Sequence, residues 1–224
     1  MDRQGTTPRC SGHLPSRRSH DLATKARITQ SPTSTRRFAR HWRWLLTASL
    51  VTVLTLSGYA GYTIRHANFH VVATGEAYRS GQMTPEQLAH AIDQYEIKSV
   101  LNLRGGHPAT VWYQEELETT ASHGATHFDR SLSSGRELTD EELDDLVALL
   151  QRAPKPILIH CQGGADRSGL AAALFELAIA GRRPDQADRE LSIWYGHVPW
   201  IRPKVLAMDR SFRHYVNDHR LVRS

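Results

Sequence analysis

One segment constrains the fold of this chain more than any other: PILIHCQGGADRSGLAAALFELAIAG, running from Pro156 to Gly181. Its first residues form a short continuous apolar run, the pattern of a buried strand. Gly163 and Gly164 then interrupt the pattern, and from about Ser168 an apolar stretch of helical length follows. A buried strand, a tight loop and a helix in direct succession are the repeating unit of an α/β domain.

The sequence on either side has the same rhythm. FHVVAT and AYRS read as short strands, and Pro85 opens a helix through PEQLAHAIDQY with Leu88, Ile92 and Tyr95 on one face. KSVLNL is a buried strand, VWYQEELETTASHG a helix closed by Gly124, and ATHFDRSL a further strand. The next helix starts at TDEE, with Thr139 as N-cap and Glu142 three residues later. Further helices are expected from Pro184 and from Pro203. The expectation is an α/β fold with a central, largely parallel sheet flanked by helices, and there is no internal repeat.

Ahead of this domain, residues 1 to 43 hold ten Lys and Arg against Asp2 and Asp21, whereas the rest of the chain holds 18 basic and 21 acidic residues. The net charge of +5 therefore resides in a Ser/Thr/Pro/Arg-rich tail and not on a folded face, which argues against nucleic-acid binding. Trp44 to Ile64 contains no charged residue for 21 positions, about enough helix for a ~30 Å hydrocarbon layer. Trp42, Trp44, Tyr59 and Tyr62 stand near its ends, and Arg36, Arg37, Arg40 and Arg43 crowd its N-terminal flank. Three parts are expected: a disordered basic tail over 1–43, a transmembrane helix over 44–64 and a folded domain over 65–224. The charge asymmetry places the tail in the cytoplasm and the domain outside it, in the periplasm if the source has one. Cys10 and Cys161, the two cysteines, then lie on opposite sides of the membrane and form no disulfide.

The Cys161 loop has its own chemistry. Ligands of open α/β sheets bind beyond the carboxyl ends of strands, where a following helix offers unpaired N–H groups to an anion. Gly163 and Gly164 let the backbone curl its amides inward, and Arg167 can present a planar fork to two phosphate oxygens. The same field favours thiolate over thiol at Cys161, lowering its pKa from a free value of about 8.5.

His160 to Gly169 resembles the H-C-x5-R-S/T-G signature of cysteine-dependent protein tyrosine and dual-specificity phosphatases. The resemblance extends from about Val71, through TGEAYRSGQ and SVLNLRG, to the last helices, and is nearest to compact bacterial dual-specificity-like members. It implies that Cys161 attacks phosphorus to form a cysteinyl-phosphate, that Arg167 clamps the equatorial oxygens, and that Ser168 assists the leaving thiolate. Gln162, Gly163, Gly164, Ala165 and Asp166 would line the phosphate site. It implies no metal and no organic cofactor.

The same resemblance implies a general acid about thirty residues before the nucleophile, and Asp129, 32 residues before Cys161, has that spacing. It lacks the Trp-Pro-Asp context of receptor-type relatives, and Glu137 is the runner-up. His160 reads as a support for the loop, and Arg79 and Arg104 as structural ion-pair partners. The expected substrates are phosphotyrosine or mixed protein phosphoesters. A phosphoinositide or inositol phosphate is the alternative, since relatives with Asp before the signature arginine include such enzymes, although the lysine they often carry before the Asp is Ala165 here. A phosphate-binding pseudophosphatase is a further alternative, against which the intact Cys161/Arg167 pair argues.

Overall fold

A computed structural model describes residues 33–219. The expected tail up to residue 32, including Cys10, lies outside the described residues. By contacts the chain divides into two units, Met1–Leu50 and Val51–Ser224, and the second holds the sheet and its core.

Helix α1 covers Thr33–Arg65, so helix begins well before the uncharged run. Its large apolar side chains are exposed, among them Trp44, Leu45, Leu46 and Leu54. Among the described residues no helix is long and apolar enough to cross a membrane. Thr47, Ser49, Thr52, Thr55 and Ser57 dilute the apolar run, and the side chains of Ala60, Thr63 and Ile64, within the expected span, fall outside those described.

Five strands form one sheet: β1 (His70–Ala73), β2 (Ala77–Ser80), β3 (Ser99–Asn102), β4 (Thr126–Asp129) and β5 (Ile157–His160). Their order is β1-β2-β5-β3-β4. The four strands from β2 to β4 are parallel, and β1 joins the edge as an antiparallel hairpin partner of β2. Parallel neighbours need crossover connections, and α2 (Pro85–Tyr95), α3 (Val111–Ser122) and α4 (Asp140–Arg152) provide them.

β5 lies at the centre, which is why PILI has no polar face. Ile157 and Ile159 join the cluster built with Leu143, Leu146, Phe175 and Phe212, while Leu158 points to the opposite cluster with Tyr78, Leu88, Ile92 and Val100. Helix α5 (Arg167–Ala178) is buried over most of its length, as an all-round apolar sequence requires. The expected capping box at Thr139 and Glu142 is present, and a second, at Thr84 and Gln87, starts α2. The helix expected from Pro184 is a single turn, α6 (Pro184–Ala187). That from Pro203 begins as a 3-10 turn and continues as α7 (Leu206–Asp218).

Register fixes where the chemistry sits. Ser80, His160, Asn102 and Asp129 are paired across four adjacent strands, so Cys161 leaves the sheet at the middle of its carboxyl edge, with the end of β4 on the same edge.

Candidate active site

The loop between β5 and α5 is shaped by what its carbonyls do. The carbonyl of Gln162 accepts from the Gln82 N–H at 3.1 Å, and that of Gly163 from the Asn68 amide at 3.1 Å. Those of Gly164 and Ala165 both accept from one Arg79 nitrogen, each at 2.9 Å. A peptide plane holds its N–H opposite its C=O. Four successive carbonyls turned outward therefore turn the amides of Gly163, Gly164, Ala165 and Asp166 inward, and an anion-binding nest results. Gly164 has to be glycine here: its φ is +69°, and a Cβ would stand 2.5 Å from the Gly81 nitrogen.

Arg79, on β2, is fully buried. Its second nitrogen donates to the Glu190 carboxylate and to the Glu190 carbonyl, both at 2.6 Å, and its guanidinium lies 4.3 Å from the centre of the Tyr195 ring. The expected ion-pair role is thus observed, with the added task of orienting the loop. Gly169 lets α5 reach this pair, because a Cβ there would stand 2.9 Å from the Glu190 carbonyl oxygen.

Cys161 is buried at the base of the nest, with the Ser168 hydroxyl 3.5 Å from its sulfur. Burial pushes the thiol pKa up. The hydrogen bond from Ser168, the charge of Arg167 and the N–H groups of Ser168 and Gly164 outweigh burial, and the net shift is downward. Arg167 donates to the carbonyls of Leu103 and Leu132, at 3.3 and 3.4 Å, so the loops after β3 and β4 aim its fork.

Two further networks brace the site. The buried Glu116 carboxylate accepts from His127 at 2.9 Å, His160 at 3.1 Å and Gln82 at 2.6 Å. Burial raises its pKa, but those donors and the His160 charge outweigh it and hold Glu116 below the ordinary carboxylate range. His160, expected to support the loop, reaches Glu116 on α3 through one ring nitrogen, and its other ring nitrogen has no hydrogen-bond partner among the described residues. On the other flank the buried His197 contacts Asp166 at 2.8 Å and Asp209 at 2.9 Å, and Arg202 meets Asp166 at 3.1 Å. Burial lowers the His197 pKa, but the two carboxylates overcome it and raise the net value.

Cys161, Gln162, Gly163, Ala165, Asp166 and Arg167 line a cavity of about 370 Å³, together with Asn68, Ser134, Tyr195, Gly196 and Arg202. Gly164 and Ser168 are not among the described residues lining it. Arg202 stands beside Asp166 and is paired with it. Asp129 is not among the described residues lining this cavity. It accepts from the Asn102 amide at 2.8 Å and from the Tyr113 hydroxyl. The hydrogen bond to Asp129, with burial, pushes the Tyr113 pKa up to about 12. Glu137 is held by Arg210 at 3.0 Å on the surface. Arg104 makes no close ion pair among the described residues: its guanidinium lies 3.6 Å over the Trp112 ring and donates to Gln82, and its pKa is lowered by burial and by the charge of Arg167. A larger cavity of about 660 Å³, beside α2, contains no residue of the signature.

The tyrosine phosphatase family profile matches residues 58–190, and the chain belongs to that family. It is a phosphatase, a phosphoric monoester hydrolase. No curated protein sequence matches it. Among solved structures it is similar to TpbA of P. aeruginosa, at 18% identity and a TM-score of 0.51, covering 66% of this chain and 84% of that one. It is similar too to the core catalytic domain of the PP-IP phosphatase Siw14 of S. cerevisiae, at 20% identity and 0.50, covering 69% and 94%. A third likeness, to PTPMT1, has 12% identity and a TM-score of 0.50, covering 67% and 98%. At these identities the likeness is one of fold.

Arg79→Met should cost about 3–5 kcal/mol in a denaturant titration, since it strands a buried carboxylate. Arg79→Met with Glu190→Leu should recover much of that loss. A single-variant cost below about 1 kcal/mol would show that the pair does not hold the loop.

Proposed function

We propose that this phosphatase hydrolyses phosphomonoesters in two displacements through a phosphate ester of Cys161. The observation that carries the reading is the loop itself: four outward carbonyls, four inward amides and Arg167 around one buried thiol whose pKa is lowered. In the first step the Cys161 thiolate attacks phosphorus while the amides and Arg167 hold the equatorial oxygens, and the ester oxygen departs with a proton. In the second, water attacks phosphorus, its proton passes to the carboxylate that protonated the leaving oxygen, and the S–P bond breaks to release the thiolate, to which the Ser168 hydroxyl donates.

Asp129 is the proposed acid for the first step. Its spacing from Cys161 and its place on the same sheet edge support this. Tyr113 and Asn102 both donate to the carboxylate, so the protonated form needs one of its oxygens released toward substrate. Phosphotyrosine and mixed protein phosphoesters are the proposed substrates, and a structure of TpbA holds phosphotyrosine. Inositol phosphates are the second reading, favoured by Arg202 beside Asp166 and by the fold shared with the PP-IP phosphatase Siw14.

We further propose that residues 44–64 anchor the domain at a membrane, with the N-terminal tail cytoplasmic and the catalytic domain outside. The 21 uncharged positions, their exposed apolar side chains and the ten basic residues before them support this.

Cys161→Ser should abolish turnover of an aryl phosphate while phosphate binding persists, and Arg167→Lys should be severely impaired because a point charge cannot replace a bidentate fork. The alkylation rate of Cys161 against pH should show a midpoint below the free-thiol value of about 8.5. Near wild-type turnover by the serine variant would exclude the mechanism.

Asp129→Asn should slow alkyl and tyrosyl esters much more than activated aryl esters, because only the basic leaving oxygens need the proton. Equal slowing of both, or of neither, removes Asp129 from the role and makes Glu137→Gln the next variant to assay.

Reporter fusions after residue 66 test the topology. Alkaline phosphatase should be active there and a fluorescent protein dark; the opposite pattern reverses the orientation.

A further inference from the structure

We propose that the segment from Ile193 to Lys204 is a bilayer-contact surface that seats the mouth of the catalytic pocket against the lipid–water interface. This rests on reading that pocket as the phosphatase site, and it names the surface at which the site works. Four large apolar side chains crowd this segment and bury little of themselves: Ile193 is 54% exposed, Trp194 74%, Trp200 64% and Ile201 69%. A cluster of that kind marks an interaction site. Tyr195, Gly196 and Arg202, interleaved with them in sequence, line the Cys161 cavity, so the exposed side chains are borne by the segment that walls the cavity, its rim.

The rim is held in place from beneath. His197 is bound by Asp166 and Asp209, the Tyr195 carbonyl accepts from Asn68 at 2.9 Å, and the Gly196 carbonyl accepts from Arg202 at 2.9 Å. The exposed side chains therefore stand on a fixed support, and docking them orders little further backbone.

Chemistry selects a bilayer as the occupant. Indole rings combine an apolar body with one polar N–H and favour the membrane–water boundary. Between Glu190 and Asp209 there is no acidic residue, and Lys204 stands three positions after Ile201, which suits an anionic lipid surface; Arg202 between them is paired with Asp166. The rim also touches α1 at a telling level: the Tyr59 hydroxyl donates to the Trp194 carbonyl at 2.6 Å, and Tyr59 stands near the C-terminal end of the uncharged run. Interfacial tyrosines gather at that depth of a membrane. With the rim on the bilayer, the Cys161 pocket opens toward phosphoryl groups presented at the membrane surface.

The test uses the full chain reconstituted into phosphatidylcholine vesicles with and without phosphatidylglycerol, made with plain or chain-brominated lipid. Tryptophan emission of the wild type is compared with that of Trp194→Phe/Trp200→Phe, and the difference isolates these two indoles from Trp42, Trp44 and Trp112. Brominated lipid should quench that difference emission, more strongly when phosphatidylglycerol is present. Trp194→Ser/Trp200→Ser/Ile201→Ser should lose vesicle-surface turnover of a phosphate-monoester lipid while keeping turnover of a soluble aryl phosphate. That soluble assay reports on the catalytic reading separately, since its failure in the wild type would sink the phosphatase site and leave the quenching result standing. Difference emission equal in plain and brominated vesicles overturns the proposal. So does concentration-dependent shielding of these indoles from acrylamide in detergent, which assigns the rim to a second copy of the chain.

Discussion

The site depends on one buried cation. Arg79 has no exposure to water, and its two terminal nitrogens divide their work: one is spent on Glu190, the other on the carbonyls of Gly164 and Ala165. A buried ion pair of this kind gives little net stability, because desolvation offsets most of its Coulomb attraction. Its value here is directional. With the carbonyls drawn outward the amides face the thiol, and the loop keeps that arrangement before any phosphate arrives. Preorganised dipoles of this sort need no rearrangement when charge develops on the reacting oxygens.

Around that centre, charges alternate in shells. The Cys161 thiol, Arg167 and Asp166 line the pocket and Glu116 stands outside it; each of the two carboxylates is tied to histidine, and Gln82 and Asp209 complete the outer contacts. Each carboxylate placed near the site is thereby occupied by donors of its own, which keeps uncompensated negative charge away from an anionic substrate. His197 does double duty, since the same ring that fixes Asp166 also holds the segment that carries the apolar rim.

Much of this is legible in the sequence, and the reasons for the rest are physical. The β5–loop–α5 unit can be read because strand, glycine turn and helix are contiguous, and its cysteine and arginine share a fixed local spacing. The strand–helix alternation is legible for the same reason. Asn68, Glu116, Glu190 and His197 carry no such signal: each reaches the loop through tertiary contacts from elements far along the chain. Arg79 can be recognised as a structural arginine, yet nothing nearby announces that its partners are loop carbonyls. Asp129 shows the limit of spacing arguments, since distance along the chain picks out a residue at the carboxyl edge of the sheet but does not say that Tyr113 and Asn102 hold its oxygens. The helix ahead of the domain is longer than its uncharged core, because Arg-rich sequence continues a helix as readily as apolar sequence.

The central claim is that phosphate passes through the protein. Stereochemistry at phosphorus tests it directly: a phosphomonoester made chiral with oxygen isotopes and sulfur is hydrolysed in isotopically distinct water, and the configuration of the product is read. Two in-line displacements, first by Cys161 and then by water, predict net retention. Net inversion would mean that water attacks the ester in a single step, and would contradict the account.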